Sequence, residues 1–113
     1  MNPGDIVLLH FPQADLAEGK LRPALIVALA PGRHPDVLLS LITSRAYHEI
    51  PDFDEVINLL DADFAASGLK ARSVVRLARL ASVEETVIKA RLGNISAERL
   101  GRIKQRLADW LKQ

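Results

Sequence analysis

The 113-residue sequence has no cysteine, which excludes disulfides and thiolate metal sites and fits a reducing compartment. Aromatic residues are scarce: three Phe, one Tyr and one Trp. With so few, base stacking cannot be the main mode of any nucleic-acid binding. No apolar run approaches the ~20 residues of a membrane span. The opening Met1-Asn2-Pro3-Gly4-Asp5 lacks the basic-then-apolar pattern of a signal peptide, so a cytoplasmic protein with no membrane role is expected. No His, Asp and Glu spacing suggests a metal site, and no cofactor is expected. A Gly-rich phosphate loop and a Ser-His-Asp arrangement are also missing.

What is present is enough for one domain over residues 1–113, with 49% hydrophobic residues and no internal repeat or linker. The net charge is only +1, but it is unevenly spread. Residues 1–69 hold four Lys and Arg against ten Asp and Glu, whereas residues 70–113 hold eleven against four. Either the two halves neutralise each other in one compact domain, or the basic half meets an anionic partner.

The chain is organised around Lys20-Leu21-Arg22-Pro23-Ala24-Leu25-Ile26-Val27-Ala28. Proline disfavours helix at the residue before it and is tolerated where a strand begins. The unbroken apolar run that follows suits a strand buried on both faces. Arg22 would then stand on a stiff element just outside the core.

Turn residues and alternation divide the remainder. Strands are expected over 5–11, 24–30, 37–44, 55–59, 73–80 and 86–92. Asp61 is expected to cap a helical turn over 62–66 that Ser67-Gly68 ends. In 73–80, Val75, Leu77 and Arg79 share one face and Val74, Arg76, Ala78 and Leu80 the other. In 86–92, Val87, Lys89 and Arg91 form a basic outer face, and Gly93-Asn94 ends the strand. Ser96 caps a helix over 97–112, with an apolar stripe of Leu100, Ile103, Leu107, Trp110 and Leu111. Arg99, Arg102 and Arg106 line another side, read as a solvated face. The architecture expected is mainly β with α: a small barrel-like sheet covered by a C-terminal helix.

Several pieces resemble one family in order: Gly4-Asp5-Ile6-Val7-Leu8-Leu9, Arg22-Pro23-Ala24-Leu25-Ile26-Val27, Leu41-Ile42-Thr43-Ser44, Ser73-Val74-Val75-Arg76, and Leu92-Gly93-Asn94-Ile95-Ser96. This series is similar to the PemK/MazF toxins of type II toxin–antitoxin pairs. The resemblance implies an SH3-like small barrel of the CcdB/PemK/MazF type and, as a rule, a homodimer. It implies a growth inhibitor that cuts single-stranded RNA without a metal and leaves a 2′,3′-cyclic phosphate. It also implies an antitoxin whose acidic segment occupies the RNA groove, with operator DNA reached through that antitoxin. The apolar side of residues 37–42 is one guess for the dimer surface.

The same resemblance assigns candidate residues. Arg22 matches the catalytic arginine; its forked donors suit charge stabilisation on phosphate oxygens, with proton donation second. Thr43 and Ser44 match a hydroxyl pair that can fix a phosphate oxygen. Arg76 matches a basic residue for phosphate binding. Some relatives carry Asp two positions after this Arg, where this chain has Ala78. Others carry His in the loop before Arg-Pro, where it has Asp15, Glu18 and Lys20. Glu18 and Lys20 join the substrate-binding candidates, and Glu18 is a candidate base on position alone. His48, five residues after Thr43, could approach the same groove; His10 reads as structural and His34 as solvated. Tyr47 and Phe53 are the plausible base stackers. Ala78 and the missing loop His favour a second possibility: a binding protein of the same fold, either a gyrase poison or an inactive relative kept for antitoxin and operator DNA.

Overall fold

The computed structural model describes residues 1–12 and 20–113. Its strands are β1 (Asp5–Leu9), β2 (Arg22–Leu29), β3 (Asp36–Thr43), β4 (Glu55–Ile57), β5 (Ser73–Glu84) and β6 (Ala90–Asn94). A short helix α1 (Phe64–Ser67) lies between β4 and β5, and α2 (Ala97–Leu111) closes the described chain. All strand pairs are antiparallel, in the order β4-β5-β3-β2-β1-β6. The sheet curls into a half-barrel, and β4 and β6 are its edges among the described residues.

Alternation along each strand divides the core in two. Ile6, Leu25, Val27, Ile42, Val75 and Leu77 pack beneath α2 with Ile103 and Leu107. Their neighbours Val7, Leu9, Ala24, Ile26, Val37, Leu39 and Leu41 form a second cluster with Phe11. The far half of β5 covers that cluster with Ala81 and Val83. β2 is therefore buried on both faces, as its unbroken apolar run requires, and Pro23 sits in the second position of the strand.

β5 can serve both halves because it bulges. Ser40 faces Leu80, but Ile42 faces Val75, so two steps along β3 are matched by five along β5. Side chains replace the lost ladder bonds: the Ser40 hydroxyl donates to the Arg76 carbonyl at 2.7 Å, and the Leu77 N–H donates to Asp54 Oδ1 at 3.0 Å. Such a bulge bends its strand and re-aims the side chains on it. Alternation alone placed this strand over 73–80; it runs on to Glu84 because Ala81 and Val83 find a second core to cover.

Other expectations are corrected. Residues 86–92 are not one strand: Glu85–Val87 form a 3-10 turn, and β6 begins at Ala90 with Gly93 and Asn94 inside it. Lys89 and Arg91 are nevertheless exposed. Asp61 does not cap α1 with its side chain; Asp63 holds the N-cap position, and the Asp61 carboxylate turns back to the Asn58 N–H at 2.8 Å. Gly68 ends α1 in the left-handed conformation, with φ 74°. The apolar side of 37–42 is no docking surface in this fold, since Val37, Leu39, Leu41 and Ile42 are buried between β2 and β5. Leu111, placed on the helix stripe by its spacing, is 71% exposed.

The largest departure concerns the arginines of α2. Ser96 caps the helix by accepting the Arg99 N–H at 3.1 Å. The Arg99 side chain then turns inward and is 5% exposed. It donates to Glu55 Oε2 at 2.8 Å, Asp61 Oδ2 at 2.7 Å, both oxygens of Asp63 at 2.9 and 3.0 Å, and the Val56 carbonyl at 2.7 Å. Arg102 and Arg106 reach the same buried Glu55, each at 3.0 Å. Arg99 thus sits in a carboxylate cage that ties edge strand β4 to the helix, whereas Arg102 reaches Glu55 from an exposed position and Arg106 from a half-buried one.

The packing makes three outcomes measurable. A Cβ on Gly93 would stand 2.0 Å from the Ala66 carbonyl oxygen, so Gly93→Ala should cost about 2 kcal/mol or more in urea denaturation. The hydrogen bonds from Arg99 hold the Asp63 carboxyl down to about 2, against an ordinary 3.8. Its stabilising contribution is complete above the ordinary value and is lost as pH falls through the folded one. Stability should drop between about pH 4 and about pH 2. Arg99→Met should remove about 3 kcal/mol at neutral pH and flatten that acid limb.

Candidate nucleic-acid cleft

A cleft of about 300 Å³ opens where β2 begins and β3 ends. The strand register builds it. The β2–β3 ladder ends at Ala24 and Leu41, and Arg22 and Thr43, each two residues beyond it, both line the cleft. The bulge in β5 supplies Arg76 to the same wall, and the loop before β5 adds Lys70. Ser44, Arg45, His48 and Ser73 add to the polar lining, and Leu21, Pro23, Leu41 and Leu69 are among its apolar members.

The hydroxyl of Thr43 has a defined role in its own turn. Thr43 Oγ1 accepts the Arg45 N–H at 3.1 Å, so its proton remains to be donated elsewhere. A 3-10 turn, Ala46–His48, follows directly. His48 lies on the cleft side of that turn, its ring edge-on to Tyr47 with centroids 4.4 Å apart. Partial burial, and then the charges of Arg76, Arg45 and Arg79, hold the His48 pKa below the usual imidazole value. Among the described lining residues Arg22, Arg45, Lys70 and Arg76 are cationic, and none is a carboxylate. The arrangement suits an anion with several oxygens, such as a phosphodiester.

Of the residues proposed from sequence, Arg22, Thr43, Ser44, His48 and Arg76 meet in this cleft. Lys20 does not line it; the Lys20 side chain is exposed and its carbonyl lies 3.0 Å from His10 Nδ1. His10 is thus exposed beyond β1 and is not a core histidine. Asp15 and Glu18 lie outside the described residues. Phe53 is unavailable for stacking, because it packs against Trp110 with ring centroids 5.4 Å apart, whereas Tyr47 is 76% exposed. Ala78 is exposed in the bulge and does not line the cleft. Arg45 and Lys70 were not singled out from sequence; adjacency to Thr43-Ser44 pointed at the first, and nothing local marked the second. Among the described residues no group of three or more His, Asp or Glu is placed to hold a metal ion. No helix among them is long and apolar enough to cross a membrane.

The cations of the basic half divide between two places. Arg99, Arg102 and Arg106 are consumed by Glu55, Asp61 and Asp63. Lys70 and Arg76 instead face the cleft with Arg22 and Arg45.

In overall shape the chain is similar to the crystal structure of MazF from Deinococcus radiodurans, with a TM-score of 0.66. The match covers 99% of this chain and 96% of that one at 21% sequence identity, and it places the half-barrel and its helix among MazF-like folds. No curated protein matches the chain in sequence. A family model described as the PemK-like, MazF-like toxin of type II toxin–antitoxin systems matches residues 2–111. With that match spanning nearly the whole chain, the protein belongs to the PemK-like, MazF-like toxin family.

Proposed function

We propose that this protein is a toxin that arrests growth as a metal-independent endoribonuclease, cutting single-stranded RNA such as mRNA in the cytoplasm. The observation that carries this reading is that Arg22 and Thr43 line one cleft together with further cations. Cutting RNA through its own 2′-hydroxyl needs a proton removed from that oxygen, charge stabilised on the phosphorane, and a proton delivered to the 5′-oxygen. Arg22 supplies two parallel N–H donors to the phosphorane oxygens as charge builds on them. Thr43 donates its remaining proton to a phosphate oxygen and fixes the position of the scissile bond. Ser44 and Arg76 hold the neighbouring phosphate, and Arg45 and Lys70 extend the cationic track along the strand.

The same charge pattern suits an antitoxin whose acidic segment lies in the cleft and excludes RNA. A homodimer would join two such clefts into a longer groove, and operator DNA would be bound through the antitoxin. The absence of a carboxylate among the described lining residues favours a second reading, in which the cleft binds an anionic partner without cutting it.

The two readings separate in one assay: purified protein, single-stranded RNA and a chelator. The wild type should yield fragments ending in 2′,3′-cyclic phosphate. Arg22→Ala should slow cleavage by ~10²–10³-fold, as loss of a transition-state donor does. Binding without cleavage by the wild type supports the second reading, and equal cleavage by both proteins removes Arg22 from the chemistry.

A further inference from the structure

Attack by a ribose 2′-oxygen requires a group that can take its proton near neutral pH. The lining of the cleft restricts the choice. Guanidinium and ammonium groups carry no acceptor, which removes Arg22, Arg45, Lys70 and Arg76 in their ordinary charged forms. Thr43, Ser44 and Ser73 offer hydroxyls, which are weak bases. No described lining residue is a carboxylate. Among the described lining residues His48 remains, the one side chain with a nitrogen lone pair that is basic in this pH range.

The position of His48 is defined by its turn. The His48 N–H donates to the Arg45 carbonyl at 3.1 Å, and the Glu49 N–H donates to the Ala46 carbonyl at 3.0 Å. The Arg45 N–H is in turn bound to Thr43 Oγ1. These main-chain bonds fix the turn that carries His48 close behind Thr43, and both side chains line the cleft. Tyr47 packs against the ring at an interplanar angle of 72° and limits its rotation.

We propose that His48 is the general base for the 2′-hydroxyl. This rests on the ribonuclease reading above. A ring nitrogen of His48 takes the 2′-proton as the oxygen's electron pair forms the new bond to phosphorus. The bond from phosphorus to the 5′-oxygen breaks, and its electron pair leaves with that oxygen. Water gives the 5′-oxygen a proton, and the imidazolium returns its own to the hydroxide so formed. The products are a 2′,3′-cyclic phosphate and a 5′-hydroxyl.

The charges around the ring favour its neutral, proton-accepting form. Arg76 and Arg79 act on it from β5, and Arg45 acts from its own turn. Arg22 and Lys70 line the same cleft. The adjacent carboxylate, Glu49, is engaged by Arg72 at 3.2 Å. Partial burial of the ring is the larger cause and the charges of Arg76, Arg45 and Arg79 add to it, so the His48 pKa lies below the ordinary 6.5. A base is active when deprotonated, so kcat/KM should rise with pH and level off, with a midpoint below that value.

The test uses the full chain, a single-stranded oligoribonucleotide and a chelator, with rates read from about pH 5 to about pH 8. His48→Gln should lower kcat/KM by ~10²-fold or more and abolish the rising limb. Its affinity for the same oligonucleotide carrying 2′-O-methyl at the scissile position should stay within about 3-fold, since a general base contributes to the rate and not to ground-state binding. Added imidazole should restore part of the rate of His48→Ala. A rising limb that survives in His48→Gln at near wild-type rate overturns the assignment, and so does a limb that disappears in Glu18→Gln while His48→Gln keeps its rate. No cleavage by the wild type would instead overturn the nuclease reading itself, and this assignment with it.

Discussion

Arg99 holds together parts of the molecule that the sheet leaves separate. An open half-barrel has two edges, and β4 is a short one that pairs only with β5 among the described residues. An unpaired edge carbonyl needs a donor, and Val56 finds it in the Arg99 guanidinium. The same guanidinium gathers Glu55, Asp61 and Asp63, so β4, the loop after it and the start of α2 meet at one planar cation. Burying these charges is costly unless every donor and acceptor is matched. Here the match is close: among the described residues no buried side-chain nitrogen or oxygen lacks a hydrogen-bond partner. Burial works against the charge on Arg99, but its bonds to Asp63 and Asp61 outweigh burial and keep the guanidinium firmly protonated.

That cage also bears on which charges remain for the cleft. By consuming acidic residues of the first half of the chain with arginines of the last helix, it leaves the cations near the cleft unopposed by those carboxylates. Among the described residues the cleft is lined by four cations and no carboxylate in a chain whose net charge is only +1. Net charge describes solubility; the distribution of charge decides what can enter the cleft.

The β5 bulge is the second device. It bends the strand so that one half lies over the core beneath α2 and the other over the second core. At the bend it turns Arg76 into the cleft, and the Ser40 hydroxyl holds the Arg76 carbonyl in place. Alternation in the sequence assigns Arg76 to the face of Val74 and Ala78, which is correct only for a regular strand. Val74 is wholly buried and Ala78 is exposed.

Local chemistry in the sequence was sufficient for much of this. The Arg-Pro boundary, the unbroken run after it, the Ser96 cap and the Gly68 stop depend on neighbours within a few residues, where backbone sterics and short-range hydrogen bonds act. Arg22, Thr43 and Arg76 were marked by the resemblance to the toxin family, which local chemistry alone does not supply. Only the folded chain decided which charges would pair. Arg99 stands 44 residues from Glu55 and 36 from Asp63, and no periodicity reports such a distance. A helical spacing shows that three arginines share a side; it cannot show whether water or a carboxylate waits there. The cleft was decided in the same way, by a cross-strand register and a bulge that bring Arg22, Thr43, His48, Lys70 and Arg76 around one space.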